Sequence, residues 1–223
     1  MPNIPTFIIQ FDNEISSREI PLFRGAVIAS LKQKDIMFHN HDEEGNDIYR
    51  YPRVQYKRIH AKAAIVGVKD GIEAINELFS AGNHIYKIGK REVEMHIESL
   101  KAYDNEIGFC DSPLPYRLLN WLPLNSKNYR EYQSKEGLAD KISFLEDILT
   151  GNLLSFFSSI GYHVEEQIKP TITEIKAQRI VTYKHVKLMA FDIEFKVNLT
   201  LPQYIGIGKS ASVGFGTLTK ITQ

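Results

Sequence analysis

Apolar and polar positions divide the chain into short alternating runs and three stretches of helical spacing. Residues 6–11, rich in β-branched and aromatic side chains, read as a first strand, and residues 20–33 carry apolar side chains at helical intervals. A polar loop at 39–47, with Gly45-Asn46-Asp47 inside it, precedes two strands at 54–57 and 61–68. Asp70 is suited to cap a short helix reaching Phe79, with Gly82-Asn83 as its stop, and residues 92–103 alternate as a further strand. Pro113 and Pro115 then mark a boundary near residue 112. Beyond it the pattern predicts a strand over 114–122, a helix over 138–160 with Gly151 as a candidate break, and strands at 164–168, 172–183 and 186–201.

The first half thus runs strand, helix, strand, strand, helix, strand, the βαββαβ plan of a ferredoxin-like domain. A distorted copy of that plan is the economical reading of the second half, although the halves share no close sequence repeat. The expected fold class is α+β: two tandem ferredoxin-like (βαββαβ) domains, 1–111 and 112–223, the second distorted and ending in a glycine-rich loop. At 223 residues the chain has room for two small domains.

Composition narrows the function classes. Hydrophobic residues at 43% and charged residues at 24% are ordinary globular values, which argues against disordered and fibrous chains. Cys110 is the single cysteine, so neither an internal disulfide nor a cysteine-based zinc site can form. A cytoplasmic location is the expectation, since residues 1–5 lack a signal-peptide pattern and no apolar stretch approaches the roughly 20 residues a bilayer requires. Net charge is balanced, 27 basic against 27 acidic residues, so a polyanionic partner must be argued from distribution. Arg50, Arg53, Lys57, Arg58, Lys62 and Lys69 form one run free of acids, and from Arg179 onward basic residues outnumber Asp192 and Glu194. Residues 92–111 are acidic.

The segment Gly206-Ile207-Gly208-Lys209-Ser210-Ala211-Ser212-Val213-Gly214-Phe215-Gly216 puts four glycines in eleven positions, a loop suited to positive φ and to close approach. Gly208-Lys209-Ser210 matches the end of a nucleotide-binding P-loop. Gln203, however, stands where that motif needs its first glycine, and thirteen residues after Ser210 are too few for the helix and strands that should follow. Gly-Ile-Gly, a Lys-bearing spacer and Gly-Phe-Gly instead resemble the signature loop of CRISPR-associated repeat-RNA endoribonucleases of the RAMP superfamily, whose members pair two ferredoxin-like halves. The resemblance spans the chain. It implies that Gly206, Gly208, Lys209, Ser210, Gly214, Phe215 and Gly216 lie against RNA, and that the partner is CRISPR repeat RNA. Other CRISPR-associated proteins and a second copy of the chain are further candidate partners.

Phe38-His39-Asn40-His41 lies in the polar loop, followed by Tyr49-Arg50-Tyr51-Pro52-Arg53. The letters His-Asn-His are too close together for the metal-dependent nucleases of that name, and the remaining histidines show no paired metal-ligand spacing. RNA carries its own nucleophile, the 2′-OH. Scission then needs a base, an acid and positive charge for the phosphorane, and two imidazoles near pKa ~6.5 can supply both proton transfers. His39 and His41 are the catalytic candidates, with Lys32, Lys34 and Tyr49 nearby for charge stabilisation or orientation. A His-X-His loop followed by Tyr-Arg-Tyr-Pro resembles one subtype of the same family, which implies metal-independent cleavage to a 2′,3′-cyclic phosphate and a 5′-OH, without cofactor. Arg50, Arg53, Lys57 and Arg58, interleaved with Tyr49, Tyr51 and Tyr56, are candidate phosphate contacts with stacking partners. Two other readings stand beside the nuclease: a non-catalytic RNA-binding RAMP subunit of an effector complex, and a metabolic enzyme on the same scaffold, which ready binding of a small ligand would favour. Trp121, Phe156 and Phe157 are expected in the core.

Overall fold

The computed structural model describes residues 3–31, 51–80 and 85–221. The chain divides into two compact units. One comprises Asn3–Glu106 together with Ala211–Gly214, the other Ile107–Ser210 and the chain from Phe215 onward.

In the N-terminal unit, β1 (Asn3–Glu14) leads into α1 (Ile20–Ser30), then β2 (Val54–Ile59), β3 (Lys62–Val68) and α2 (Gly71–Ser80). A hairpin, β4 (Ile85–Ile88) and β5 (Arg91–Glu94), precedes β6 (Ile97–Glu106). The four long strands form one antiparallel sheet in the order β2-β3-β1-β6, so each crossover helix joins strands that skip a neighbour, the ferredoxin-like arrangement. The hairpin is a separate two-stranded sheet. It corrects the single strand expected over 92–103: the chain breaks at Met95-His96, where Met95 turns inward and is buried.

α1 starts where Ser16 donates its backbone N–H (2.8 Å) and its hydroxyl (2.9 Å) to the Glu19 carboxylate. These two bonds, chiefly the backbone one, together with the nearby Arg91 guanidinium, hold the Glu19 carboxyl below its usual range. Pro21 follows in the first turn, where its missing N–H costs nothing. Phe23 of α1 meets Phe11, Tyr56 and Tyr86 edge-on with ring centroids 5.6–6.1 Å apart, and all four rings are buried.

The C-terminal unit contains β7 (Phe109–Trp121), α3 (Ser126–Ser134), α4 (Leu138–Ser159), β8 (Thr171–Tyr183), β9 (Val186–Leu199) and β10 (Thr217–Lys220). Its antiparallel sheet runs β10-β7-β9-β8. This is the order of the first sheet repeated, with one change: between β9 and β10, where a ferredoxin-like domain has its second helix, the chain runs instead through the glycine-rich segment. That substitution is the expected distortion.

Local differences from the sequence reading have physical causes. Pro113 and Pro115 lie inside β7; Pro113 falls where the pairing with β9 shifts register between Phe109 and Leu114, and Pro115 stands opposite Lys196 just beyond that shift. Residues 164–168 form no strand. Gly151 does not interrupt α4, because Leu145, Leu149, Leu153, Phe156 and Phe157 bury one continuous face, and that gain exceeds the roughly 1 kcal/mol a helical glycine costs. Trp121, Phe156 and Phe157 are core residues, as expected. Among the described residues no helix is long and apolar enough to cross a membrane.

Candidate nucleic-acid interface

The glycine-rich segment is held as a narrow ladder at its base. Gly206 bridges Thr217, Ile207 N–H donates to Gly216 O (2.8 Å), and Leu218 N–H donates to Ile205 O (2.9 Å). Ile205 and Ile207 are fully buried beneath it. Gly216 has φ +60°, and a β-carbon there would stand 1.9 Å from the Ile207 carbonyl oxygen, so only glycine fits.

The base is also tied to β7. Gly216 N–H donates to Asn120 O (3.1 Å), and Asn120 itself sits at φ +53° in the second register shift of that strand. This conformation is fixed from β8 and β9: Asn120 N–H donates to Asp192 (2.7 Å), while the Arg179 guanidinium grips both Asp192 oxygens (2.7 and 2.9 Å) and donates to the Asn120 side-chain carbonyl. Next in the strand, Trp121 Nε1 donates to Asn152 of α4 (2.9 Å), and Gly208 packs on that pair. Phe215 is half-buried and edge-on to Tyr183, centroids 5.4 Å apart. Lys209 is exposed and Ser210 half-buried at the turn.

Ala211–Gly214 belong to the N-terminal unit, and there they cover the outer edge of β2. Tyr56 N–H donates to Ser212 O (2.9 Å), and Tyr56 pairs with Val213 in a parallel bridge. Gly214 has φ +87°, and its missing β-carbon would lie 2.5 Å from Ile20 Cδ1 at the start of α1. Lys57 reaches the same segment: its side chain is fully buried and its ammonium donates to Ala211 O at 2.9 Å. Burial pulls this group down to about 7.

Several expectations are corrected by this geometry. Lys57 is not presented to a phosphate, because its nitrogen is enclosed and given to a backbone carbonyl. Tyr56 is a core ring against Phe23, not a stacking platform, and burial raises its hydroxyl pKa. The close approach that requires glycine at 214 and 216 is to Ile20 and to Ile207 O of the protein itself, so these glycines shape the loop from within. Arg53 is half-buried with its Nε 3.0 Å from Asp70, and Arg58, exposed, donates Nε to Ile15 O (2.7 Å). Lys32, Lys34, His39, His41, Tyr49 and Arg50 lie outside the described residues. They belong to the chain joining α1 to β2, the two elements against which Ala211–Gly214 pack. The Arg179–Asp192–Asn120 network had no local signature, since its three members come from three strands.

The architecture is a pair of tandem ferredoxin-like domains, the second carrying a glycine-rich loop where its last helix would be. Residues 2–106 match the Cas6b N-terminal domain and residues 108–221 the Cas6b C-terminal domain. The chain belongs to the Cas6b family. A crystal structure of Cas6b, 28% identical, superposes over 98% of this chain and 100% of its own with a TM-score of 0.88. Another, of the CRISPR RNA processing endoribonuclease Cas6b, is 29% identical with the same coverage and a TM-score of 0.76. An uncharacterised protein of Methanocaldococcus jannaschii is 37% identical over 124 residues, 55% of this chain and 83% of that protein.

Proposed function

We propose that this chain is a metal-independent endoribonuclease that cuts precursor CRISPR RNA within each repeat. The observation that carries the reading is its full-length likeness to a CRISPR RNA processing endoribonuclease of its own family, with both Cas6b domains matched. In this reading residues 1–111 supply the proton transfers and residues 112–223 the glycine-rich loop, in a cytoplasmic setting.

One of His39 and His41, neutral, removes the 2′-OH proton as the oxygen attacks the adjacent phosphorus. The other, protonated, gives its proton to the departing 5′-oxygen. The P–O5′ bond breaks, the 2′,3′-cyclic phosphate forms, and the two histidines end in exchanged protonation states. Lys32, Lys34 and Tyr49 are the candidates to hold the phosphorane charge or to orient the substrate. Lys209, Arg50 and Arg58 offer charge to the RNA backbone.

The test is incubation with repeat RNA in EDTA. Cleavage to a cyclic phosphate is expected, and a single 2′-deoxy substitution 5′ of the scissile phosphate should abolish it. His39→Ala and His41→Ala should each slow cleavage by roughly 10²-fold or more with little change in affinity. A strict Mg²⁺ requirement, or cleavage of the deoxy substrate, rules out this mechanism. RNA binding without any cleavage would instead make the chain a non-catalytic subunit.

A further inference from the structure

Lysine is seldom fully buried without an anionic partner, because withdrawing an ammonium from water is costly. Lys57 is 0% exposed, and the hydrogen bond its nitrogen makes is to Ala211 O, 154 residues away along the chain. β2 would be an edge strand were it not covered by Ala211–Gly214. Among the described residues the cover includes one parallel bridge at Tyr56 and Val213, the Tyr56–Ser212 bond, the packing of Gly214 on Ile20, and the Lys57 bond. Residues 211–214 directly follow Lys209 and Ser210, the turn offered to RNA, and directly precede Phe215.

Resting on the nuclease reading above, we propose that Lys57 is a positioning residue for RNA binding: by holding Ala211 O from beneath, it fixes the tip of the glycine-rich loop against β2 and so sets where Lys209 and Ser210 meet the RNA backbone. Lys57 does not touch the RNA. An amine donates an N–H whether or not it carries the extra proton, so the bond to Ala211 O survives either state.

Lys57→Met keeps the length of the side chain and removes the donor: it relieves the desolvation of a buried amine and leaves the Ala211 carbonyl without this partner, two opposed effects. The variant should therefore stay folded, with an unfolding midpoint near that of the wild type. It should raise the Kd for 2′-deoxy-blocked repeat RNA by about 10-fold, the scale of one charge-assisted hydrogen bond. The slope of log Kd against log salt should stay at the wild-type value, whereas Lys209→Ala should lower its magnitude by just under one, as loss of a phosphate contact does. Without RNA, amide exchange at Tyr56, whose N–H is bonded to Ser212 O, should accelerate in Lys57→Met. Unchanged affinity in Lys57→Met, when the wild type binds, overturns the proposal and leaves the nuclease reading intact. A salt slope that falls by about one in Lys57→Met overturns it in favour of direct phosphate contact. Failure of the wild type to bind repeat RNA sinks the nuclease reading, while the exchange measurement still decides the clamp: unchanged Tyr56 exchange refutes it. If Lys57→Met does not fold, Lys57→Gln, which retains a donor on a shorter chain, goes through the same measurements. Loss of fold in both overturns the proposal, because Lys57 would then be a folding residue.

Discussion

Gly216→Ala is the sharpest perturbation available at the base of the loop. A left-handed φ of +60° costs an L-residue about 1–2 kcal/mol. The added methyl would also stand 1.9 Å from the Ile207 carbonyl oxygen, inside any tolerable contact, and the obstacle is backbone rather than a side chain that can swing away. Relief requires the two strands of the ladder to separate, which forfeits the Ile207 N–Gly216 O and Gly216 N–Asn120 O bonds at about 1 kcal/mol each. Adding the terms, the C-terminal unit should lose about 3–4 kcal/mol, a large share of the ~5–15 kcal/mol typical of a native protein. Trp121, the single tryptophan, is buried beside Gly208 and reports this unit by fluorescence during urea unfolding. With a urea slope of ~1–3 kcal/mol/M, the midpoint should fall by about 1–4 M. Gly151→Ala is the matched control: it is helical, exposed and has nothing within 4 Å of a new β-carbon, so it should gain about 0.5–1 kcal/mol. A loss below about 1 kcal/mol in Gly216→Ala would show that the left-handed φ and the clash do not govern this turn.

Asp192→Ala should release the Asn120 bulge, since Asn120 N–H loses its acceptor at a cost of about 1 kcal/mol, and amide exchange at Asn120 and Gly216 should quicken; unchanged exchange refutes the link. Lys57 also gives a pH signature. With its pKa pulled down to about 7 in the folded chain, the unfolded chain binds the extra proton between about pH 7 and 10, so raising pH favours folding by up to ~1.4 kcal/mol per unit. Urea midpoints of the wild type should therefore rise relative to Lys57→Met from pH 7 to 9, and parallel pH profiles would show that Lys57 keeps its proton when folded.

The sequence carried the elements whose burial alternates or repeats over many residues. β1, α1, β3, α4 and β9 were visible because each buries a run of apolar positions, and β8 because apolar and polar residues alternate over much of its length. α3 was not, since only Tyr132 of its nine residues is buried, although Asn125 caps it by accepting from Asn128 N–H. β5 was merged with β6 and β4 went unread, because four-residue strands are too short to show a period of their own. For the site, composition marked a loop of close approaches, and the partners of those approaches are not the ones expected. Glycine signals close approach without saying to what, and here Gly214 and Gly216 approach Ile20 and Ile207. Nor does a lysine in a basic run announce that its nitrogen will be enclosed. The partner of Lys57 is a carbonyl, which no side-chain pattern encodes.

The placement of Ala211–Gly214 on the edge of β2 sets a condition on the order of synthesis. β2 and Lys57 leave the ribosome some 154 residues ahead of the carbonyl that receives the lysine. Until that stretch has been translated, the N-terminal unit carries an open strand edge and an ammonium with no backbone acceptor from residue 211, whatever the state of its own helices and core. A nascent chain halted before residue 211 should therefore expose β2 to chaperones and to pairing with other strands.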